Sequence, residues 1–219
     1  MNSSNLPAAV LWDMDGTLID SEPYWLASES AFAKAHDSNW GHDDGLGVIG
    51  MSLYESSKLL KARVGSPLEP QEIIDQITDG VLQQLEQEIP WRPGARELLK
   101  LLRENNVKTA LVTGSMHRMA EKVANQIGFE AFDVIVGGDD VVKGKPHPES
   151  YLKAAQILGV GPTQCVAFED SLTGITAAEA AGTKAVGIAH IVEIPMSEGR
   201  ILWPTLSGVG MNDLRALFE

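Results

Sequence analysis

Five short apolar runs constrain this chain more than any other feature: AAVLW (Ala8 to Trp12), TALVT (Thr109 to Thr113), FDVIV (Phe132 to Val136), CVAF (Cys165 to Phe168) and KAVGIA (Lys184 to Ala189). Runs of this length without polar alternation read as strands buried on both faces. Between the later runs lie helical patterns. Pro93 and Gly94 open RPGARELLKLLRENN, where Leu98, Leu101 and Leu102 share a face, and further patterns follow at Met116 to Ile127, Pro148 to Leu158 and Gly174 to Ala181. Strand and helix in alternation predict an α/β fold with a mostly parallel, doubly wound sheet. With 219 residues, 44% of them hydrophobic, the chain can build one large domain or a core with a modest insert.

Roughly ninety residues separate the first and second runs, far more than one crossover helix needs. Within them EPYWLASESAFAKAH, SLYESSKLLKARV and PQEIIDQITDGVLQQLEQ read as amphipathic helices, and in the last Ile73, Ile74, Ile77, Val81 and Leu85 recur at helical spacing. The expected organisation is a Rossmann-like core of residues 1–20 and 90–219, carrying an inserted α-helical cap at 21–89. The insert leaves and rejoins the core beside DMDGT, where a lid that closes on substrate and excludes water belongs. GLGVIG, Gly45 to Gly50, matches the dinucleotide-binding spacing, but no strand precedes it, so it reads as a lid loop. The tail from Ile191 to Glu219 reads as a final strand and helix.

At the end of the first run, AAVLWDMDGT sets Asp13 and Asp15 where a buried strand breaks into a Gly turn. Open α/β sheets deliver functional groups at the carboxyl ends of their strands. Two acids there repel and lose hydration, and a divalent cation between them lowers that cost; Mg2+ takes hard oxygen ligands and substrate phosphate. The calcium-loop pattern is not met, because its sixth and twelfth positions need Gly and Glu and here they are Leu18 and Tyr24. Later strand ends carry further groups suited to phosphate: Thr113-Gly114-Ser115 opening a helix, Lys145 before Pro146, and the pair Glu169 and Asp170. Gly144-Lys145 lacks the other residues of a Walker loop, and the five His residues show no zinc-ligand spacing.

The remaining composition narrows the partners. A formal charge of −13 without a basic stripe argues against nucleic acid and anionic membrane. The amino-terminal segment has no basic start and its apolar run is too short for a signal peptide, so a cytoplasmic protein is expected. The single Cys165 lies in an apolar run and reads as a buried thiol.

The ordered motifs DMDGT, VTGS, GKPHPE and FEDSLTGI strongly resemble those of the haloacid dehalogenase-like superfamily of aspartate-nucleophile phosphotransferases, along nearly the whole chain and with a helical cap between the first two. The resemblance implies that Asp13 is the nucleophile, Asp15 the general acid and base, and Thr113 and Lys145 the phosphate clamps, with Gly114 beside them. It implies a Mg2+ ion held by Asp13, Asp170 and Glu169, with the backbone carbonyl of Asp15 contributing. The expected partner is a small phosphorylated metabolite, and the expected assembly a monomer or weak homodimer.

Asp15 argues against dehalogenation, which leaves no group in need of a proton. The rival within the family is a β-phosphoglucomutase-like activity. Those mutases carry a His in the cap where this chain has Trp25, and an Arg where it has Leu53. LIDSEPYW instead resembles bacterial sugar-phosphate and hexitol-phosphate phosphatases, so hydrolysis of a sugar or polyol phosphate is the favoured reading. Trp25 is expected to meet substrate, as is His117, one turn into the helix after Thr113. An alternative of another class is a non-catalytic binding or regulatory module on the same fold, which would have little use for a metal-bound nucleophile.

Overall fold

The computed structural model describes residues 6–188 and 190–219. The first five residues of the amino-terminal segment, and Ala189 at the end of the fifth apolar run, lie outside them. By its internal contacts the chain divides into two compact units, Asp20–Pro90 and the combination of Met1–Ile19 with Trp91–Glu219. No helix among the described residues is long and apolar enough to cross a membrane.

The unit Asp20–Pro90 is helical: α1 (Glu22–Ala35), α2 (His42–Leu46), α3 (Leu53–Val64) and α4 (Pro70–Leu85). Its interior is built on the stripe read from the sequence, because Ile73, Ile74, Ile77, Val81 and Leu85 of α4 are all buried. Glu72 reaches back to the Glu69 amide at 2.8 Å, which satisfies one orphan donor at the start of α4. Gly65, in the left-handed conformation at φ +68°, ends α3.

One segment departs from expectation. Gly45 and Leu46, predicted as part of a loop, lie inside α2, whose start is capped by Asp44 accepting from the Gly41 amide at 2.9 Å. A side chain at position 45 would press on the Leu26 Cδ1 at 2.7 Å, so the glycine there serves close packing.

Within this interior Glu29 is a buried acid. Its Oε2 accepts the Trp40 indole N–H at 2.8 Å, and burial pushes its pKa up to about 7.

The other unit carries a six-stranded sheet of β1 (Ala9–Trp12), β2 (Lys108–Val112), β3 (Val134–Val136), β4 (Cys165–Glu169), β5 (Lys184–Ile188) and β6 (Ile201–Trp203), in the order β3-β2-β1-β4-β5-β6. Every neighbouring pair is parallel. The order reverses at β1, with β2 and β3 to one side and β4 to β6 to the other. Such a reversal opens a crevice beyond the carboxyl ends of the adjoining strands. The tail supplies β6 and α9 (Met211–Ala216), the strand and helix anticipated there.

Connecting helices are α5 (Ala95–Glu104), α6 (His117–Gln126), α7 (Glu149–Leu158) and α8 (Leu172–Ala180). Small residues on α7 and α8, namely Ala154, Ala155, Ala177 and Ala178, pack with Leu11, Ala167 and Tyr151 in one core cluster. On α5 the buried positions are Ala95, Leu98, Leu99 and Leu102. Leu99 therefore takes the place expected for Leu101, because an i, i+3, i+4, i+7 stripe counted from Ala95 passes through it. Cys165 is buried, and its thiol donates to the Gly161 carbonyl at 3.4 Å.

Candidate active site

The sheet positions the site. Trp12 lies opposite both Leu111 and Phe168. One residue on, the Asp13 amide donates to the Phe168 carbonyl at 3.0 Å, and the Thr113 amide donates to the Val136 carbonyl at 3.0 Å. Asp13, Thr113 and Glu169 are thus delivered at the same end of β1, β2 and β4.

Two glycines record how tightly the carboxylates are seated. Gly16 adopts φ +82°, and a Cβ there would overlap the Asp170 carboxylate and meet His190. A Cβ on Gly174, in the first turn of α8, would overlap the Glu169 carboxylate. Both positions are glycine because a carboxylate fills the space a side chain would take.

Lys145 ties this group together. Its ammonium donates to Asp13 Oδ1 at 2.6 Å and to the Val112 carbonyl at 2.9 Å, and it pairs with Glu169 Oε1 at 2.6 Å. The three acceptors match its three N–H donors. The same Glu169 oxygen also accepts the buried Tyr151 hydroxyl, and the Lys145 ammonium lies 5.3 Å from the centre of the Tyr151 ring. Burial raises the Asp13 pKa against the pull of Lys145, with Asp15 adding to the rise. Burial and the charge of Asp13 likewise raise Glu169, to about 7. The two acids hold Lys145 protonated, well above its ordinary pKa, despite its burial.

Asp15 stands in a different environment. Its Oδ2 accepts the Ser115 hydroxyl at 2.6 Å and the Thr113 hydroxyl at 3.2 Å. The Thr113 oxygen also accepts the Ser115 amide at 3.0 Å, so this turn organises the Asp15 carboxyl before any ligand arrives. Beside it, the space a side chain on Gly114 would occupy is open.

The acids suit a hard cation. Asp13, Glu169 and Asp170, all buried, each offer a carboxylate oxygen, and these atoms lie within 4.8 Å of one another. Glu169 Oε2 is buried without a hydrogen-bond partner. A desolvated carboxylate oxygen left in that state is costly, and all-oxygen donors are what Mg2+ and Ca2+ select. The side chain of Asp15 stands apart from this trio, engaged by the two hydroxyls.

Two other candidates have their own partners. The His117 ring approaches Asp140 Oδ2 at 2.5 Å through Nδ1 and Glu121 Oε1 at 3.6 Å through Nε2, while its amide donates to Asp139 Oδ1 at 2.7 Å. Trp25 is buried in the helical unit, where it lines a small cavity with Glu29, Leu53 and Leu60. Tyr151 and the contact of Ser115 with Asp15 were not foreseen. The only sequence signals were an aromatic on the buried stripe of α7 and a second hydroxyl two residues after Thr113.

A family model for haloacid dehalogenase-like hydrolases matches residues 7–182. Hexitol phosphatase B of Escherichia coli is 32% identical over 182 residues, covering 81% of this chain and 82% of that protein. The β-phosphoglucomutase of Bacillus subtilis is 30% identical over 190 residues, covering 83% of each. The crystal structure of CbbY from Rhodobacter sphaeroides in complex with phosphate superposes with a TM-score of 0.85 at 26% identity, covering 95% of this chain and 99% of that one. Matched by that model through most of its length, the chain belongs to the haloacid dehalogenase-like hydrolase family.

Proposed function

We propose that this protein is a Mg2+-dependent phosphatase that hydrolyses a small phosphomonoester, of a sugar or a polyol, through an aspartyl-phosphate on Asp13. The observation that carries the proposal is the junction of Asp13, Lys145 and the cation-fitting acids Glu169 and Asp170 beyond β1 and β4. The hexitol phosphatase relative supports the substrate class.

In the first half-reaction an Asp13 carboxylate oxygen attacks phosphorus and the bond to the sugar oxygen breaks. Asp15 gives its proton to that leaving oxygen. In the second half Asp15 takes a proton from water, the water oxygen attacks phosphorus, and Asp13 is regenerated with release of inorganic phosphate. Ser115 and Thr113 hold Asp15 in one orientation through both proton transfers. Lys145 neutralises charge on the phosphoryl oxygens by exchanging one of its protein acceptors for one of them. Bound at Asp13, Glu169 and Asp170, Mg2+ would supply further positive charge beside the phosphoryl group, so that an anionic nucleophile can approach an anion.

A panel of sugar and polyol phosphates incubated with purified protein tests this reading. Free phosphate is expected, together with a hydroxylamine-labile phosphoprotein that Asp13→Asn abolishes. A phosphate moved within the sugar would mark a mutase instead, the outcome that Trp25 and Leu53 argue against. Binding of a sugar phosphate with no turnover of any panel member would mark a binding module.

A further inference from the structure

Glu169 is held unevenly. Its Oε1 takes both the Lys145 ammonium and the Tyr151 hydroxyl, whereas its Oε2 has no hydrogen-bond partner although it is buried. Tyr151 itself is fully buried, on α7, within the cluster formed by Leu11, Ala154 and Ala167. A phenol in such a core is costly unless its hydroxyl finds an acceptor. Here the acceptor is one oxygen of a carboxylate that belongs to a trio suited to a cation, and its other oxygen is the one left unpartnered.

Two donors converging on one oxygen fix both the plane and the rotation of a carboxylate. Lys145 alone would not do so, because its ammonium is shared with Asp13 and the Val112 carbonyl and is needed by the phosphoryl group during reaction. The Tyr151 hydroxyl, in contrast, has a single proton to donate, and it goes to Glu169. Groups that orient a metal ligand from behind commonly set affinity by about 10–100-fold.

We propose that Tyr151 is a positioning residue of the cation site: its hydroxyl, donated to Glu169 Oε1, presents Glu169 Oε2 as the ligand and thereby sets the affinity for a divalent cation. This inference rests on the reading that Asp13, Glu169 and Asp170 bind such a cation.

The test is calorimetric titration of Mg2+, backed by Mn2+ electron paramagnetic resonance, on the full-length protein and on Tyr151→Phe, Glu169→Gln and the double variant. Tyr151→Phe keeps the ring and is expected to weaken cation binding by about 10–100-fold. Glu169→Gln should weaken it too, and in that background the loss of the Tyr151 hydroxyl should have no further effect. Unchanged Mg2+ affinity in Tyr151→Phe would overturn the inference, as would a full additional loss in the double variant. Failure of Tyr151→Phe to fold would overturn it as well, because the hydroxyl would then be serving the core. Absence of Mg2+ binding by the unaltered protein would instead overturn the cation site itself, and this inference with it.

Discussion

Glu29 offers a quantitative check on the interior of the helical unit. Burial lifts its pKa from the ordinary 4.5 to about 7, against the pull of the Trp40 hydrogen bond. An acid raised on folding binds its proton more tightly in the folded state, so its favourable contribution is fully present below pH 4.5 and is lost as pH climbs through about 7. A span of about 2.5 pH units corresponds to about 3 kcal/mol. Glu29→Gln keeps an acceptor for the Trp40 indole and removes the charge. The variant is therefore expected to be more stable than the parent by up to about 3 kcal/mol at pH 8.5, and by less than about 1 kcal/mol at pH 5. Urea unfolding followed by circular dichroism at both pH values, with amide exchange along α1 as the local readout, measures the difference. A stability gain of the same size at both pH values would refute the reasoning, because it would come from packing rather than from ionisation.

Four further outcomes are expected at the site. Lys145→Ala should lower turnover by about 10²–10³, the usual loss for one charge-stabilising donor, and steady-state kinetics showing unchanged turnover would remove Lys145 from the mechanism. Ser115→Ala should lower kcat by about tenfold with little change in KM, since it removes a hydrogen bond to Asp15 worth about 1.5 kcal/mol; a change confined to KM would place Ser115 on the substrate instead. Gly174→Ala should lower thermal stability by an amount equivalent to about 1–3 kcal/mol, because the added methyl overlaps the Glu169 carboxylate, and an unshifted melting curve would contradict that packing. Chelation with EDTA should abolish phosphate release and added Mg2+ should restore it; activity that survives chelation would count against the cation.

Much of the core was legible because parallel strands buried on both faces leave unbroken apolar runs, as in AVLW and CVAF. Asp13, Lys145, Glu169 and Asp170 were legible because each follows such a run or a breaker at a strand end, and their order along the chain is distinctive. The pattern alone does not separate Leu99 from Leu101, because the four leucines at 98, 99, 101 and 102 fit two neighbouring stripes, and only the sheet decides between them. The short helix α2 is hidden because Gly45 and the glycines flanking the helix resemble a loop, while the Asp44 cap and the close fit of Gly45 beside Leu26 emerge only in the structure. The partners of His117 depend on where β3 ends and Asp140 is brought back, a tertiary matter that no local pattern encodes. Tyr151 was hidden for a similar reason: an aromatic on a buried stripe looks like packing until its hydroxyl is seen on Glu169.

The ladder bonds that run one residue beyond the strands, from the Asp13 amide to Phe168 and from the Thr113 amide to Val136, bear on how this protein can evolve. Side chains in a strand alternate between faces, so a single-residue deletion within β1 would send Asp13 to the wrong side and put Met14 in its place. Length changes are therefore far less tolerable in β1 than in the turns at 47–50. New specificities in this lineage are accordingly expected to arise from loops and the helical unit, with the spacing between the first strand and its aspartate held constant.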